Sequence, residues 1–331
     1  MNQIGVVIVS YNTRDILRRC LQALAASRDV SLAVVVVDNG SSDSSVAMVV
    51  NEFPEVLLLC NTVNNGFGAA ANQGLDLFLT PRIDRPTKDG KIRSIQPETF
   101  LANYIVLLNS DAFVEPGTLA SMLEYAQADP MAGVIAPQLR NADGSLQPTG
   151  RPFPSLRTKL ADITGWSRRG GRNNYLVVGR DYDAIADVDE VPAACVLVRR
   201  AVFEQVGGFD EGFRFNYEDL DWCRRVAAAG WRVVYLPSAR VTHLWGTSQR
   251  SRREWVELHS RRGLLRYFTK HGRRFELYGL RFALLAFDLA RILRLCVRGI
   301  LYPAERTHMR EKLCWRVRIF ATLVEPEGDI P

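Results

Sequence analysis

Asp111 ends the apolar run Tyr104-Ile-Val-Leu-Leu-Asn109-Ser110-Asp111, and a second acidic knot, Tyr217-Glu218-Asp219-Leu220-Asp221-Trp222, follows about a hundred residues later. An apolar run that closes in Asn-Ser-Asp predicts a buried strand bringing a carboxylate to the carboxyl edge of a sheet, where open α/β proteins bind ligands. A carboxylate at that edge suits a hard cation carrying phosphate. The second knot predicts the start of a helix. Acidic residues in a first turn are favoured by the helix dipole alone, but three within four positions exceed what a dipole requires. Glu218 and Asp221 are expected on one helical face and Asp219 elsewhere. Together the two acidic points suggest metal-assisted group transfer from a nucleotide-linked donor.

Three further places have suitable residue types. Asp38 ends the run Val34-Val-Val-Val-Asp38 and is followed by Asn-Gly-Ser-Ser-Asp43. There it can accept hydrogen bonds from a base or ribose while the following helix start faces anionic oxygens, although the same residues also make ordinary turns. Asn64-Asn65-Gly66-Phe67-Gly68-Ala-Ala-Ala-Asn72 lets backbone N–H groups approach a ligand. It lacks the third glycine of a dinucleotide fingerprint and follows the wrong strand for one, so a tight strand-to-helix turn explains it equally well. His243 follows the run Trp231–Leu236 and Val241-Thr. A solitary histidine is more often a structural residue, but if its strand end lies beside Asp111, an imidazole and a carboxylate share one cation, with phosphate oxygens and water completing the shell.

The elements needed to position these groups are readable. Runs at Val6–Val9, Ala33–Val37, Val56–Cys60 and Ile105–Leu108 alternate with helical patterns at Asp15–Ala26, Ser44–Phe53, Ala69–Leu79 and Leu119–Ala128. Continuous apolar strands separated by amphipathic helices predict an α/β fold with a mainly parallel sheet covered on both faces. Thr13, Ser42 or Asp43, and Pro116 fall at cap or first-turn positions. Residues 80–97 turn charged and proline-containing, the composition of a surface insertion or loop. Residues 141–189 show little periodicity, with Gly170-Gly171 an expected flexible point. Strands return at Ala193–Val198 and Trp231–Leu236, and helices fill the chain beyond Ser251.

At 331 residues and 47% apolar content the chain fits a folded enzyme with an appendage. Its charge is uneven: between Arg250 and Glu325 eighteen Lys/Arg face seven Asp/Glu, against a total of +6, so the remainder is net acidic. On a helical wheel Phe275–Tyr302 gathers Arg281, Asp288, Arg291, Arg294 and Arg298 into one sector and leaves Leu, Ile, Phe, Ala and Val elsewhere. Such a helix lies in an anionic membrane interface or packs on protein with a solvated basic face. No signal-peptide pattern opens the chain, and charges interrupt its greasiest stretch, so neither export nor a spanning helix is expected. The six scattered cysteines form no Cys-x-x-Cys pair and are expected as buried thiols in a reducing cytosol. These features predict a cytoplasmic protein, peripheral on the inner face of the membrane. The basic residues interleave with Leu and Ile rather than with stacking aromatics, which argues against nucleic-acid binding.

Taken in order, Val7-Ile-Val-Ser-Tyr11-Asn12, Val37-Asp38-Asn-Gly-Ser-Ser-Asp43, Asn65-Gly66-Phe-Gly68, Leu108-Asn109-Ser110-Asp111, Gly207-Gly-Phe-Asp210 and Glu218-Asp219-Leu-Asp221-Trp222-Cys-Arg224 resemble the family 2 glycosyltransferases of GT-A fold, particularly the rhamnosyltransferase-like branch. The resemblance covers about residues 4–248, expected as a catalytic domain, with 249–331 a basic helical region. It implies inverting transfer of a single sugar from a dTDP- or UDP-linked donor, dTDP-rhamnose first, to a glycan or lipid-linked acceptor in cell-surface polysaccharide assembly, with Mg²⁺ or Mn²⁺. It also implies donor contacts at Tyr11, Asp38, Asn65, Gly66, Asn109, Ser110 and Asp111, metal ligation by Asp111 and His243, and Asp219 as base with Glu218 beside it. Asp221 and Trp222 are the acceptor-side candidates. Asn109 stands where the family motif has its first acid, and no Gln-x-x-Arg-Trp motif of processive synthases is present. The rival readings are a nucleotidyltransferase, disfavoured by the missing glycine-rich lysine loop, and an inactive nucleotide-sugar-binding or scaffolding protein.

Overall fold

The computed structural model describes residues 3–80, 84–86, 92–94, 102–166, 181–244, 253–302 and 306–324. Two compact units emerge, residues 1–153 with 179–248, and residues 154–178 with 249–331.

The first unit contains β1 (Gln3–Ser10), α1 (Arg14–Ala25), β2 (Ser31–Asp38), α2 (Ser45–Glu52), β3 (Leu57–Cys60) and α3 (Phe67–Leu79). In the charged stretch after α3, β4 (Asp84–Pro86) and β5 (Ile92–Ser94) form a separate antiparallel ribbon. The rest of that stretch, like Gly170-Gly171, lies outside the described residues. Then come β6 (Tyr104–Asn109), β7 (Ala112–Val114), α4 (Thr118–Ala128) and β8 (Ala132–Arg140). After α5 (Leu156–Thr164), which belongs to the second unit, follow β9 (Ala186–Val188), β10 (Cys195–Arg199), α6 (Arg200–Val206), α7 (Glu218–Ala228) and β11 (Arg232–His243).

Nine of these strands form one sheet in the order β3-β2-β1-β6-β10-β8-β11-β7, with β9 paired to β11. From β3 to β6 all pairings are parallel, as continuous Val/Ile/Leu runs require of strands covered on both faces. Beyond β6 the sheet is mixed: β10 is antiparallel to both β6 and β8, β8 and β11 are parallel, and β7 is antiparallel to β11. Periodicity alone misses β8, because Pro137 argues against an interior strand. In the fold Pro137 pairs with Leu236 where the β8–β11 register shifts, the kind of irregularity that tolerates proline.

Alternation along the strands feeds two cores. Ile4, Val6 and Ile8 pack with Leu17, Leu21 and Met122 on one face. Val7, Val35 and Val37 pack with Leu75, Phe78 and Trp222 on the other. Each such buried aliphatic side chain contributes roughly 1.5–3 kcal/mol, so the sheet's carboxyl edge rests on a close-packed platform.

The second unit comprises α5, α8 (Arg253–His271), α9 (Arg274–Leu301) and α10 (Arg306–Val324). Leu280, Leu284 and Asp288 are the buried residues of α9. Asp288 is ion-paired with Arg261 of α8 and lies 3.9 Å from Arg316 of α10. The helical wheel of α9 therefore needs correction: its carboxylate belongs to the inward face and much of its apolar surface to the outward one. A wheel separates two sectors, but it does not say which sector the neighbours cover. No described helix is long and apolar enough to cross a membrane. The cysteines are all free, but only Cys20, Cys195 and Cys223 are buried, and Cys60, Cys296 and Cys314 are exposed. The expectation of buried thiols thus holds for half of them.

Candidate active site

The loops leaving β1, β2, β3 and β6 are laced together by short polar side chains. Asn12, at φ 53°, accepts from the Ser42 backbone N–H at 2.8 Å, and its own N–H donates to Ser41 Oγ at 2.8 Å. Thr13 holds the N-cap place of α1 but makes no side-chain bond to that helix. Its hydroxyl donates to Ser110 Oγ at 3.1 Å and lies 3.0 Å from Ser10 Oγ. Asn39 gives its amide to Asn64 Oδ1 and the Gly66 carbonyl, both at 3.1 Å, and its oxygen accepts from the Asn65 N–H at 3.0 Å. Gly66 has φ 87°, a conformation that disfavours side chains. Tyr11 lies in the same rim, half-buried after β1.

Asp38 is 2% exposed. Its Oδ2 accepts from the Ser41 N–H at 2.9 Å, whereas Oδ1 is buried with no hydrogen-bond partner among the described residues. An orphaned buried carboxylate oxygen carries the full desolvation penalty until a donor arrives.

Asp111 and His243 meet. β7 pairs with the end of β11 in the register His243 to Ala112, and the Leu244 N–H donates to the Asp111 carbonyl at 3.0 Å. His243 Nε2 consequently lies 3.4 Å from Asp111 Oδ1. Buried Gln147 fixes the ring: its Nε2 donates to the His243 carbonyl at 2.5 Å, so its Oε1, 3.0 Å from His243 Nδ1, must accept from a protonated Nδ1. The Nε2 lone pair then faces a carboxylate oxygen, and only a proton or a cation between them satisfies both. Two adjacent ligands of an octahedral ion at about 2.1 Å stand about 3 Å apart, so the pair fits a divalent cation. Among the described residues no third His, Cys, Asp or Glu joins them. A hard cation held this way draws its remaining ligands from phosphate and water.

The acidic knot opens α7. Asn216 and Tyr217 have φ 58° and 71°, two successive left-handed residues without glycine, each costing on the order of 1–3 kcal/mol. They aim Glu218 and Asp219 at the rim. Burial, then the charge of Asp219, pushes the Glu218 carboxyl up to about 8. Burial also raises Asp219, opposed by the Leu220 N–H, the Arg151 guanidinium and the Ala193 N–H. Glu218 Oε2 has no hydrogen-bond partner among the described residues. The interacting acids are therefore neighbours in sequence, Glu218 and Asp219. Asp221 is fully buried and pairs with Arg225 at 3.0 Å, whose guanidinium also binds the Val206 and Gly208 carbonyls. Trp222 stacks on Phe203 and donates to the Gly207 carbonyl. Both acceptor-side candidates thus have their side chains in the core.

Asp219 and Asp111 are linked through the segment that enters β10. Asp219 faces the Ala193 N–H, and the next residue's carbonyl, that of Ala194, accepts from the Asn109 N–H at 2.9 Å, two residues before Asp111. On the other side, a Cβ on Gly68 would meet Phe209 Cβ at 3.1 Å and Glu218 Cβ at 4.0 Å. Asn72 locks this approach by bonding both the N–H and the carbonyl of Phe209. Gln147 and Arg151 are additions that motif spacing does not single out, and Asn39 and Asn72 lie inside motifs whose spacing gave them no separate role. Their only sequence signal is polarity, since Gln147 and Arg151 lie in the aperiodic stretch and Asn39 and Asn72 look like turn and helix-start residues.

A family profile described as glycosyltransferase-like family 2 matches residues 2–263. The N-acetylglucosaminyl-diphospho-decaprenol L-rhamnosyltransferase of Mycobacterium tuberculosis is 33% identical over 241 residues, covering 72% of this chain and 75% of that one. The rhamnosyltransferase WbbL of Escherichia coli is 24% identical over 240 residues, covering 72% and 82%. Among solved structures, a mannosyltransferase of Pyrobaculum calidifontis in complex with GDP-Man and Mn²⁺ superposes with a TM-score of 0.51 at 16% identity, over 97% of this chain and 86% of that one.

Proposed function

This chain belongs to glycosyltransferase-like family 2, in its rhamnosyltransferase-like branch, and from that premise we propose that it moves one L-rhamnose from dTDP-rhamnose, with inversion, onto a polyprenyl-diphosphate-linked glycan. The acceptor class follows the decaprenol-linked substrate in the name of the mycobacterial relative. The observation that carries the reading is the Asp111–His243 pair, 3.4 Å apart on the edge to which Asp219 is tied.

In this mechanism Asp38 receives the pyrimidine's N–H on its orphaned oxygen. The N–H groups around Asn65 and Gly66 and the side chains of Tyr11, Asn109 and Ser110 line the donor's path. Asp111 and His243 would hold a divalent cation, with Gln147 keeping the imidazole in the tautomer that can ligate. A cation held there would supply positive charge to offset the charge that develops on the departing diphosphate. Asp219 takes the proton of the acceptor hydroxyl as its oxygen attacks the anomeric carbon and the bond to the diphosphate breaks. Glu218 holds a proton at neutral pH and so leaves Asp219 the charge. Asp221 and Trp222 brace α7 beneath them. A polyprenyl-linked acceptor supports a location at a membrane surface, which we take to be its inner face.

The test incubates the purified protein with dTDP-rhamnose or UDP-hexoses, a synthetic polyprenyl-diphosphate acceptor, and Mg²⁺, Mn²⁺ or chelator. The expected result is free dTDP and a rhamnosylated lipid in the presence of metal only. Pyrophosphate as product would instead indicate nucleotidyl transfer, and no turnover with any donor would leave a binding or scaffolding protein.

A further inference from the structure

The helix α9 is amphipathic in the opposite sense to a helix that packs by its greasy side. Along it Phe275, Phe282, Leu289, Leu293, Val297 and Ile300 recur at helical spacing, and all are at least half exposed, Phe282 at 74% and Ile300 at 71%. Both of its acids are engaged within the second unit. Glu276 accepts from the Arg273 N–H at 2.9 Å, and Asp288 is buried against Arg261. Its exposed charges are Arg274, Arg291, Arg294 and Arg298, every one positive. Among the described residues of α9, the outward surface is therefore an apolar stripe whose exposed charges are all cationic.

We propose that this stripe is a lipid-docking surface: α9 lies along an anionic bilayer, its apolar row entering the acyl boundary and its arginines meeting lipid phosphates. The helix spans 28 residues, about 42 Å, and an amphipathic helix of this kind sinks about 5–10 Å below the headgroups. Arginine stems suit that depth, because their methylenes cover apolar surface while the guanidinium stays at the phosphate level. A second copy of the chain fits less well, since a two-fold contact brings arginine to arginine with no exposed carboxylate on α9 to answer them. The inference rests on the proposed membrane location and names the surface responsible for it.

Flotation of the full chain with vesicles of phosphatidylglycerol and phosphatidylcholine, against phosphatidylcholine alone, tests it. The parent is expected to float with anionic vesicles and to detach at high salt. A Phe282→Glu/Leu293→Glu double variant, with an unchanged thermal transition, should bind at least about tenfold more weakly. Replacing Arg291, Arg294 and Arg298 with Gln should weaken binding about fivefold per arginine. Stripe variants that float like the parent would overturn this surface while leaving the membrane location standing, and a parent that ignores anionic vesicles would overturn both. A parent that is dimeric by light scattering, made monomeric by the double variant, would assign the stripe to a second copy. Hydrolysis of dTDP-rhamnose in the same samples reads the sugar chemistry separately.

Discussion

The two acidic stations of the rim are built on opposite terms. At Asp111 the carboxylate sits in the turn that enters β7 and the imidazole on the paired end of β11, the tautomer is fixed by Gln147, and the two side chains face each other across 3.4 Å. At Glu218 and Asp219 the support is a left-handed turn, the carboxyls are sunk among protein atoms, and one oxygen has no described partner. The first station, on the proposed mechanism, is one that a cation would suit. The second has more negative charge than its surroundings accept and so retains a proton. The proposed transfer, which would stabilise a leaving diphosphate and deprotonate an alcohol, would use one of each.

Removing the base should separate the stations most sharply. Asp219→Asn is expected to lower kcat about 10²–10⁴-fold, or about 3–5 kcal/mol of barrier, with donor binding retained. Parental turnover in the folded variant would remove Asp219 from the mechanism. Asp111→Asn should cost about 10²–10³-fold in kcat, and unlike the first variant it should weaken metal activation in a titration with Mn²⁺. Gln147→Leu leaves both ligands in place but frees the tautomer, so a 10–100-fold loss of metal affinity is expected. Unchanged affinity would mean the ring is oriented by something else.

Smaller and more specific is the pH effect of Glu218→Gln. The Glu218 carboxyl titrates near 8 when folded, against an ordinary value of 4.5, so between these limits the folded protein binds the extra proton. Its contribution to stability is therefore full below about 4.5 and declines as pH rises toward 8. The variant should lose that slope in denaturation curves taken across the range. Because Glu218 is already neutral below about 8, its replacement should leave the acid limb of the rate profile, assigned to Asp219, where it is and remove only an alkaline change.

Much of this was legible in the residues, and the gaps have physical causes. The parallel half of the sheet followed from apolar runs ending in Asp38 and Asn109, because strands covered on both faces leave no polar alternation to misread. The meeting of His243 with Asp111 was expected only if the later strand returned to the same edge, as pairing with β7 makes it do. Arg151 and Gln147 escaped notice because buried polar residues in an aperiodic loop gain their importance from partners far away in sequence. The orientation of α9 escaped for a different reason: Asp288 reads as one more surface charge until Arg261 and Arg316 are placed around it.

The backbone at Asn216 and Tyr217 acts like a cocked spring beneath the acids. Glycine at 217 would remove the left-handed strain but also the tyrosine side chain and the stiffness it gives the unfolded chain, and on the proposed mechanism it would loosen the hold on Glu218 and Asp219.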